Sequence, residues 1–385
     1  MELGGGEPLV IYSERSLDYD FGPLHPLTPR RFPTAVDLLH AVGATRFLPP
    51  EPATDEQLLR LHAPEYVAAV RRFSDDPELP SEMGIGPGDC PAFPGMHAAS
   101  ARVAGGSIAA VEAILVGEVE HAFHPGGGLH HAMRARASGF CIYDDPALAI
   151  ARARDAGHRV LYVDLDVHHG DGVQALFWDD PQVLTFSIHE TGQTLFPGTG
   201  FVEERGGRGA EGTAVNVPLL PYSGDASWWP AVESMVPALA EAFGPTFLVT
   251  QHGCDSHTLD PLAHLRLTTA VYARATRMLD EVAHRFCDSR WLATGGGGYD
   301  VYRVVPRSWS LVWLAQAHRE VPGETPVAWR ERWAEEAERY HQAPPPMDFI
   351  DPPGTTVDDP PQVVEANART AQSALRGSLE RLAPR

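Results

Sequence analysis

The chain has 385 residues, 43% of them hydrophobic, which is enough for one large α/β domain or two smaller ones and too apolar for a disordered chain. Its 51 acidic and 30 basic residues give a formal charge of -21, which argues against broad binding to the phosphate backbone of nucleic acid and suits neutral or cationic partners. Every basic residue is Arg, and Asn occurs only as Asn216 and Asn367, a pattern of compositional bias rather than a functional device.

In chain order, residues 1–8 are Gly-rich and expected to be loose, and a strand-like run begins at 9–12. Helical patterns over 98–116, 146–156, 229–242 and 268–285 alternate with apolar strand-like runs over 121–123, 159–164, 183–187, 246–250 and 291–294. This alternation predicts a three-layer αβα domain with a parallel, doubly wound sheet. Beyond about residue 321 the composition shifts to a charged helix over 329–340, proline-rich stretches between 344 and 361, and a short amphipathic run. We therefore divide the chain into a main domain over 1–320 and an extension over 321–385 with no evident chemistry. Cys90, Cys141, Cys254 and Cys287 show no Cys-x-x-Cys spacing, and with no secretory pattern they are expected to be reduced, buried thiols of a cytoplasmic protein. No apolar run is expected to reach the ~20 residues that span a bilayer.

Ligands of open α/β sheets bind beyond the carboxyl ends of the strands, and polar clusters follow several of these runs. The densest starts at Asp164-Leu-Asp-Val-His168-His-Gly-Asp171-Gly. Asp164, Asp166 and His168 share one parity, so they converge on one face if the extended conformation persists. Three such groups, buried together without a counter-charge, would be costly, and a divalent cation removes the cost. An isolated Asp-Val-His more often caps a helix or faces water; the density of the run argues for metal.

His130 and His131 follow a glycine-rich turn, and adjacent residues face one cavity only from a loop. Asp164 and Asp171 are available to orient them as proton-transfer pairs. Gly295 to Tyr299 lacks the Lys or Ser/Thr of a phosphate cradle, so Tyr299 either packs beside a crowded turn or reaches into a cavity to donate to an oxyanion. Phe140 and Phe196, in loop-like sequence, either cover core edges or wall a slot for an aliphatic chain.

Taken in order, His25-Pro26, Gly88 to Pro91, Gly127 to His131, Ala137 to Cys141, Asp164 to Gly172, Phe196 to Gly200, Gln251 to Asp260 and Gly295 to Tyr299 resemble the zinc-dependent histone deacetylase family, especially its bacterial acetoin utilisation members. The resemblance covers roughly the first 320 residues and implies an arginase/deacetylase-like fold with a sheet of about eight strands. It also implies Asp166, His168 and Asp255 as ligands of one Zn²⁺, with Fe²⁺ a rival. His131 is implied as general base and then acid with Asp171, His130 as the partner of Asp164, and Tyr299 as the donor to the substrate carbonyl. Asp89 would grip substrate backbone at the rim, and Gly139, Phe140, Phe196 and Leu129 would line an acyl-lysine tunnel. A structural K⁺ would sit on the backbone of Asp164, Asp166 and His168 beside Ser187.

Cys254, His257 and Leu129 depart from the pattern of the better-known eukaryotic members, leaving ligands and base intact. The implied function is metal-dependent hydrolysis of N-acetyl (acyl)-lysine amides on proteins, such as an acetylated acyl-CoA synthetase. Deacylation of small acetylated amines such as acetylpolyamines is the alternative. A two-metal ureohydrolase and a catalytically dead acyl-lysine binder are weaker rivals. The expected partner is an acetyl-lysine protein or peptide, with no direct nucleic-acid or membrane partner and the oligomeric state left open.

Overall fold

The computed structural model describes residues 6–382, so most of the loose start expected over 1–8 lies outside the described residues. Among the described residues, β1 (Leu9–Ile11), β2 (Phe47–Leu48), β3 (His121–His124), β4 (Val160–Asp164), β5 (Val183–Glu190), β6 (Ala214–Leu219), β7 (Phe247–Gln251) and β8 (Trp291–Thr294) form one parallel sheet. Its order is β2-β1-β3-β8-β7-β4-β5-β6, an eight-stranded sheet as expected.

Helices cover both faces. They are α1 (Arg31–Ala41), α2 (Asp55–Leu58), α3 (Pro64–Asp75), α4 (Met96–Leu115), α5 (Asp145–Asp155) and α6 (Asp171–Leu176), followed by α7 (Asp225–Phe243), α8 (Thr269–Phe286), α9 (Val305–Gln316), α10 (Val327–Arg339) and α11 (Pro361–Leu382). The period-two alternation of the strands creates two cores. On β4, Leu161 and Val163 join the core under α1, α7, α8 and α9, while Val160 and Tyr162 join the core under α3, α4 and α5. Leu248 separates from Phe247 and Val249 on β7 in the same way. Each fully buried large aliphatic side chain contributes about 1.5–3 kcal/mol.

Local chemistry sets several helix starts. Asp144 accepts from Ala147 N at 2.8 Å and caps α5, with Pro146 in the first turn where a missing N–H costs nothing. One expectation is corrected: α4 is long and apolar enough, by length and composition, to cross a bilayer. It is a core helix of this fold, with 72% of its apolar window buried.

The segment after residue 321 shares the first core through Trp329, Trp333, Phe349, Ala371 and Ala374. Trp329 donates to Thr34 O at 2.9 Å, and the Asp359 carboxylate accepts from Gly224 N and Ser227 N at the start of α7. The four central strands end level with one another: His124 pairs with Thr294, Thr294 with Gln251, and Gln251 with Asp164. The loops that leave this row carry all the densest polar motifs.

Candidate active site

β4 stops at Asp164, so the extended conformation does not persist to Asp166 and His168. The condition under which Asp164, Asp166 and His168 would share one strand face is therefore not met, and the three residues separate into two groups. Asp164 turns to His130, whose Nδ1 donates to its Oδ2 at 2.8 Å, and accepts a second bond from the Tyr162 hydroxyl at 2.8 Å. Asp166 and His168 instead meet Asp255 from the loop after β7. His168 Nδ1 lies 3.0 Å from Asp166 Oδ1 and 3.2 Å from Asp255 Oδ2.

This second group fits a divalent cation. A tetrahedral ion with bonds of about 2.0–2.2 Å holds its donors about 3.3 Å apart, close to both separations. The other oxygens are fixed by outer partners: Gln251 Nε2 and Gly297 N donate to Asp166 Oδ2 at 2.7 and 2.8 Å, and Val167 N donates to Asp255 Oδ1 at 3.0 Å. Asp255 Oδ2 is buried without a hydrogen-bond partner, an acceptor aimed at the place a cation would fill. Close packing of the glycine turn is required here, because a Cβ on Gly297 would strike the Asp255 carboxylate.

Electrostatics agree with the geometry. Burial opposes charge on His168, yet Asp166 and Asp255 outweigh it and push the imidazole up to about 10. Burial and the neighbouring Asp166 push Asp255 up to about 6. The pocket thus demands a positive charge, which a proton or a metal ion can supply.

The two histidines of the glycine-rich loop face the same cavity, with their Nε2 atoms 3.0 Å apart. His131 Nδ1 donates to Asp171 Oδ1 at 2.7 Å. The environments of the pair drive them apart. Burial opposes charge on His130, but Asp164 and Asp166 prevail and raise it to about 9. Burial and the adjacent His130 and His168 hold His131 well below its ordinary value, so it stays neutral. A neutral imidazole with a bound orienting carboxylate is the form a general base needs.

Tyr299 lines the cavity with His130, His131, Asp166, His168, Leu129 and Phe140. Burial, reinforced by Asp255 and Asp166, pushes its hydroxyl well above the usual phenol range, so it remains a donor. Phe140 packs edge-on to Tyr299, with ring centroids 6.2 Å apart, and Phe196 packs edge-on to His131 at 5.0 Å. Phe196 is 42% exposed and lies toward solvent, whereas Leu129 is buried. Gly139 has φ +54° and lies against the His131 ring. Asp89 is exposed at the surface and its Oδ2 accepts from Gly139 N at 2.6 Å. Ser187 pairs with Asp164 in the sheet register, and its hydroxyl lies 2.8 Å from His189 Nδ1.

Three supporting residues escaped the sequence reading. The buried Arg31 donates to Gly296 O at 2.6 Å and so grips the turn that presents Tyr299. Asp145 accepts from Gly128 N and Leu129 N at 3.0 and 2.8 Å and holds the loop that presents the two histidines. Tyr162 completes the Asp164 shell. The Asp-Asp-Pro sequence at 144–146 signals a helix cap, but only the fold brings Asp145 to the glycine loop. Cys254, next to Asp255 in the chain, is 1% exposed within the apolar core, and burial pushes its thiol well above the usual range. It packs rather than reacts. His257 donates from Nε2 to Asp351 at 2.8 Å, tying the metal-side loop to the C-terminal segment.

The family described as "Histone deacetylase domain" matches residues 25–316. The chain is 38% identical to the "Acetoin utilization protein AcuC" of Bacillus subtilis (strain 168), over 96% of this chain and 97% of that protein. It is 35% identical to the protein of the same name from Staphylococcus xylosus, over 95% and 96%. The solved structure described as a crystal structure of an HDAC homolog complexed with SAHA is similar with a TM-score of 0.82 and 29% identity, covering 95% of this chain and 99% of that one. The eight-stranded sheet is thus of the arginase/deacetylase type. From the full-length likeness in sequence and fold together, the chain belongs to the histone deacetylase family.

Proposed function

We propose that the protein hydrolyses the amide of N-acetyl- or acyl-lysine on a protein substrate. The observation that carries this reading is the placement of a neutral, carboxylate-held His131 beside the Asp166, His168 and Asp255 donor set in one cavity. Those three residues would hold Zn²⁺, with Fe²⁺ the rival ion, and when bound the ion supplies Lewis-acid polarisation of the amide carbonyl and acidifies a water. Because two carboxylates neutralise most of its charge, that acidification is weak and an external base is needed.

His131 takes the proton of the attacking water at Nε2, while Asp171 holds Nδ1 and stabilises the imidazolium. It then returns the proton to the leaving lysine amine. The Tyr299 hydroxyl donates to the carbonyl oxygen as negative charge develops there. Gly139, Phe140, Phe196 and Leu129 form the slot for the aliphatic lysine stem, and Asp89 meets the substrate backbone at the rim. A structural K⁺ belongs on the backbone of Asp164, Asp166 and His168 next to Ser187. The acetoin-utilisation relatives and the acidic charge support a cytoplasmic metabolic target with cationic flanks, such as an acetylated acyl-CoA synthetase.

The test is activity on acetyl-lysine peptides and on acetylpolyamines, with metal content measured in parallel. His131→Ala should lose about 10²–10⁴-fold and Tyr299→Phe about 10²-fold, both with metal retained. Full activity in either variant overturns the mechanism, and faster turnover of acetylpolyamines overturns the substrate class.

A further inference from the structure

At the opposite end of the strands, where β3 begins, a second cluster of metal-ligand groups converges. His121 opens β3, Asp280 and His284 lie on α8, and His318 follows the end of α9. Their donor atoms all lie within 4.8 Å of one another. His284 Nε2 and His318 Nε2 are 3.1 Å apart, Asp280 Oδ1 is 3.5 Å from His284 Nε2 and 3.8 Å from His121 Nε2, and Asp280 Oδ2 is 3.3 Å from His318 Nε2. These separations bracket the donor–donor edge of about 3.3 Å of a tetrahedral ion with nitrogen and oxygen ligands.

Two of the four donors are orphans. His121 Nε2 and Asp280 Oδ1 are buried and make no hydrogen bond, and His121 is only 3% exposed. The outer contacts aim the ring nitrogens inward. His121 Nδ1 lies 2.9 Å from Gln316 O; a carbonyl only accepts, so Nδ1 carries the hydrogen and Nε2 of the neutral ring is left as a bare lone pair. His284 Nδ1 is likewise occupied, by the Ser289 hydroxyl at 2.7 Å. An unsatisfied carboxylate oxygen beside three imidazole nitrogens is the arrangement a transition-metal ion completes.

We propose that His121, Asp280, His284 and His318 form a second, structural metal site that takes Zn²⁺ in a closed four-ligand shell. His121 packs edge-on against both Trp291, at the start of the neighbouring strand, and His284, so the ion would tie together β3, α8 and the end of α9. All four positions are filled by protein, which leaves no open position for substrate and separates this site from catalysis. His284 and His318 are only partly buried, which gives the ion a route in from solvent. β3 then carries a structural site at its start, while its other end leads into the loop of His130 and His131.

The full-length chain, stripped by a chelator and titrated with Zn²⁺ and separately with Co²⁺, should bind two equivalents. The Asp255→Asn chain should keep one equivalent, with the intense visible bands of tetrahedral Co²⁺. His284→Gln and His318→Asn should each lose the second equivalent and its metal-dependent rise in melting temperature. Asn suits the left-handed backbone of His318, φ 52°, and both side chains are only partly buried, so the variants should fold; circular dichroism checks this. One equivalent in the wild type, a silent Asp255→Asn chain, or a second equivalent that persists in both histidine variants overturns the proposal. The last result would place both ions at the active site, as a binuclear hydrolase requires.

Discussion

Replacing Gly139 with alanine separates a backbone penalty from a catalytic one. Gly139 has φ +54°, where an L-residue is disfavoured by about 1–2 kcal/mol. Its added Cβ would also lie 2.5 Å from Cγ and 2.8 Å from Cβ of His131, and closer still to Cδ2. Ordinary contact begins at 3.4 Å, so the imidazole must retreat by at least 0.9 Å or the loop must shift. Either movement strains the 2.7 Å bond to Asp171 that holds the base. A displacement of about 1 Å at a reacting group costs on the order of 100-fold in rate.

Gly117→Ala is the control, since Gly117 has φ +75° and nothing within 4 Å of the added Cβ. Gly117→Ala should lose roughly 1–2 kcal/mol in denaturant unfolding, and Gly139→Ala at least as much because of the added contact with His131. Only Gly139→Ala should lose about 100-fold in kcat/KM on an acetyl-lysine peptide, with metal content unchanged. Equal activities in the two variants would refute the argument that His131 is positioned against this backbone.

Two further outcomes follow from the same network. With its imidazole pushed up to about 10, His168 carries a proton at neutral pH in the metal-free chain, so a metal ion bound at the site proposed above would have to expel that proton. Affinity should rise with pH up to about 10, and calorimetry in buffers of different ionisation heat should show about one proton released at pH 8; no buffer dependence refutes it. Below about pH 6 protonation of Asp255 should steepen the loss. Asp351 accepts from His257 and Thr269 and is paired at 2.9 Å with Arg307, which is 1% exposed. Asp351→Ala should therefore destabilise by about 3–5 kcal/mol in equilibrium unfolding, and a loss under about 1 kcal/mol contradicts this.

The buried strands and the long helices α4, α7 and α8 could be read from apolar runs, because period and length distinguish them, whereas α11, the longest at 22 residues, reads only as a short amphipathic run because small and polar residues dilute its apolar face. β2 could not be read, since two half-buried residues carry no periodicity. β6 was hidden by Asn216 and Pro218 within it; it lies at the sheet edge, where a missing N–H is tolerated. The residues of the His–Asp pairs were visible because each short run concentrates them, His130 and His131 in one and Asp164 and Asp171 in another, although the partners lie 34 and 40 positions apart. Arg31 was not, because its partner Gly296 is 265 positions away and nothing local distinguishes a gripping arginine from a surface one. The parity argument for Asp164, Asp166 and His168 failed because β4 ends at Asp164, four residues short of His168.

The strand order has a consequence for how the protein matures. β3 ends at His124 and is hydrogen-bonded along its length to β8, which begins at Trp291. The loops of the active site leave β3, β4, β7 and β8, so the catalytic pocket closes only after the last of these strands has been synthesised and has inserted between β3 and β7. Such non-local pairing is slow to form. A chain ending before β8 has Asp166, His168 and Asp255 but neither the turn that presents Tyr299 nor the Gly297 N–H that fixes Asp166, so the ion proposed for this site would be held in full only once the whole sheet is complete.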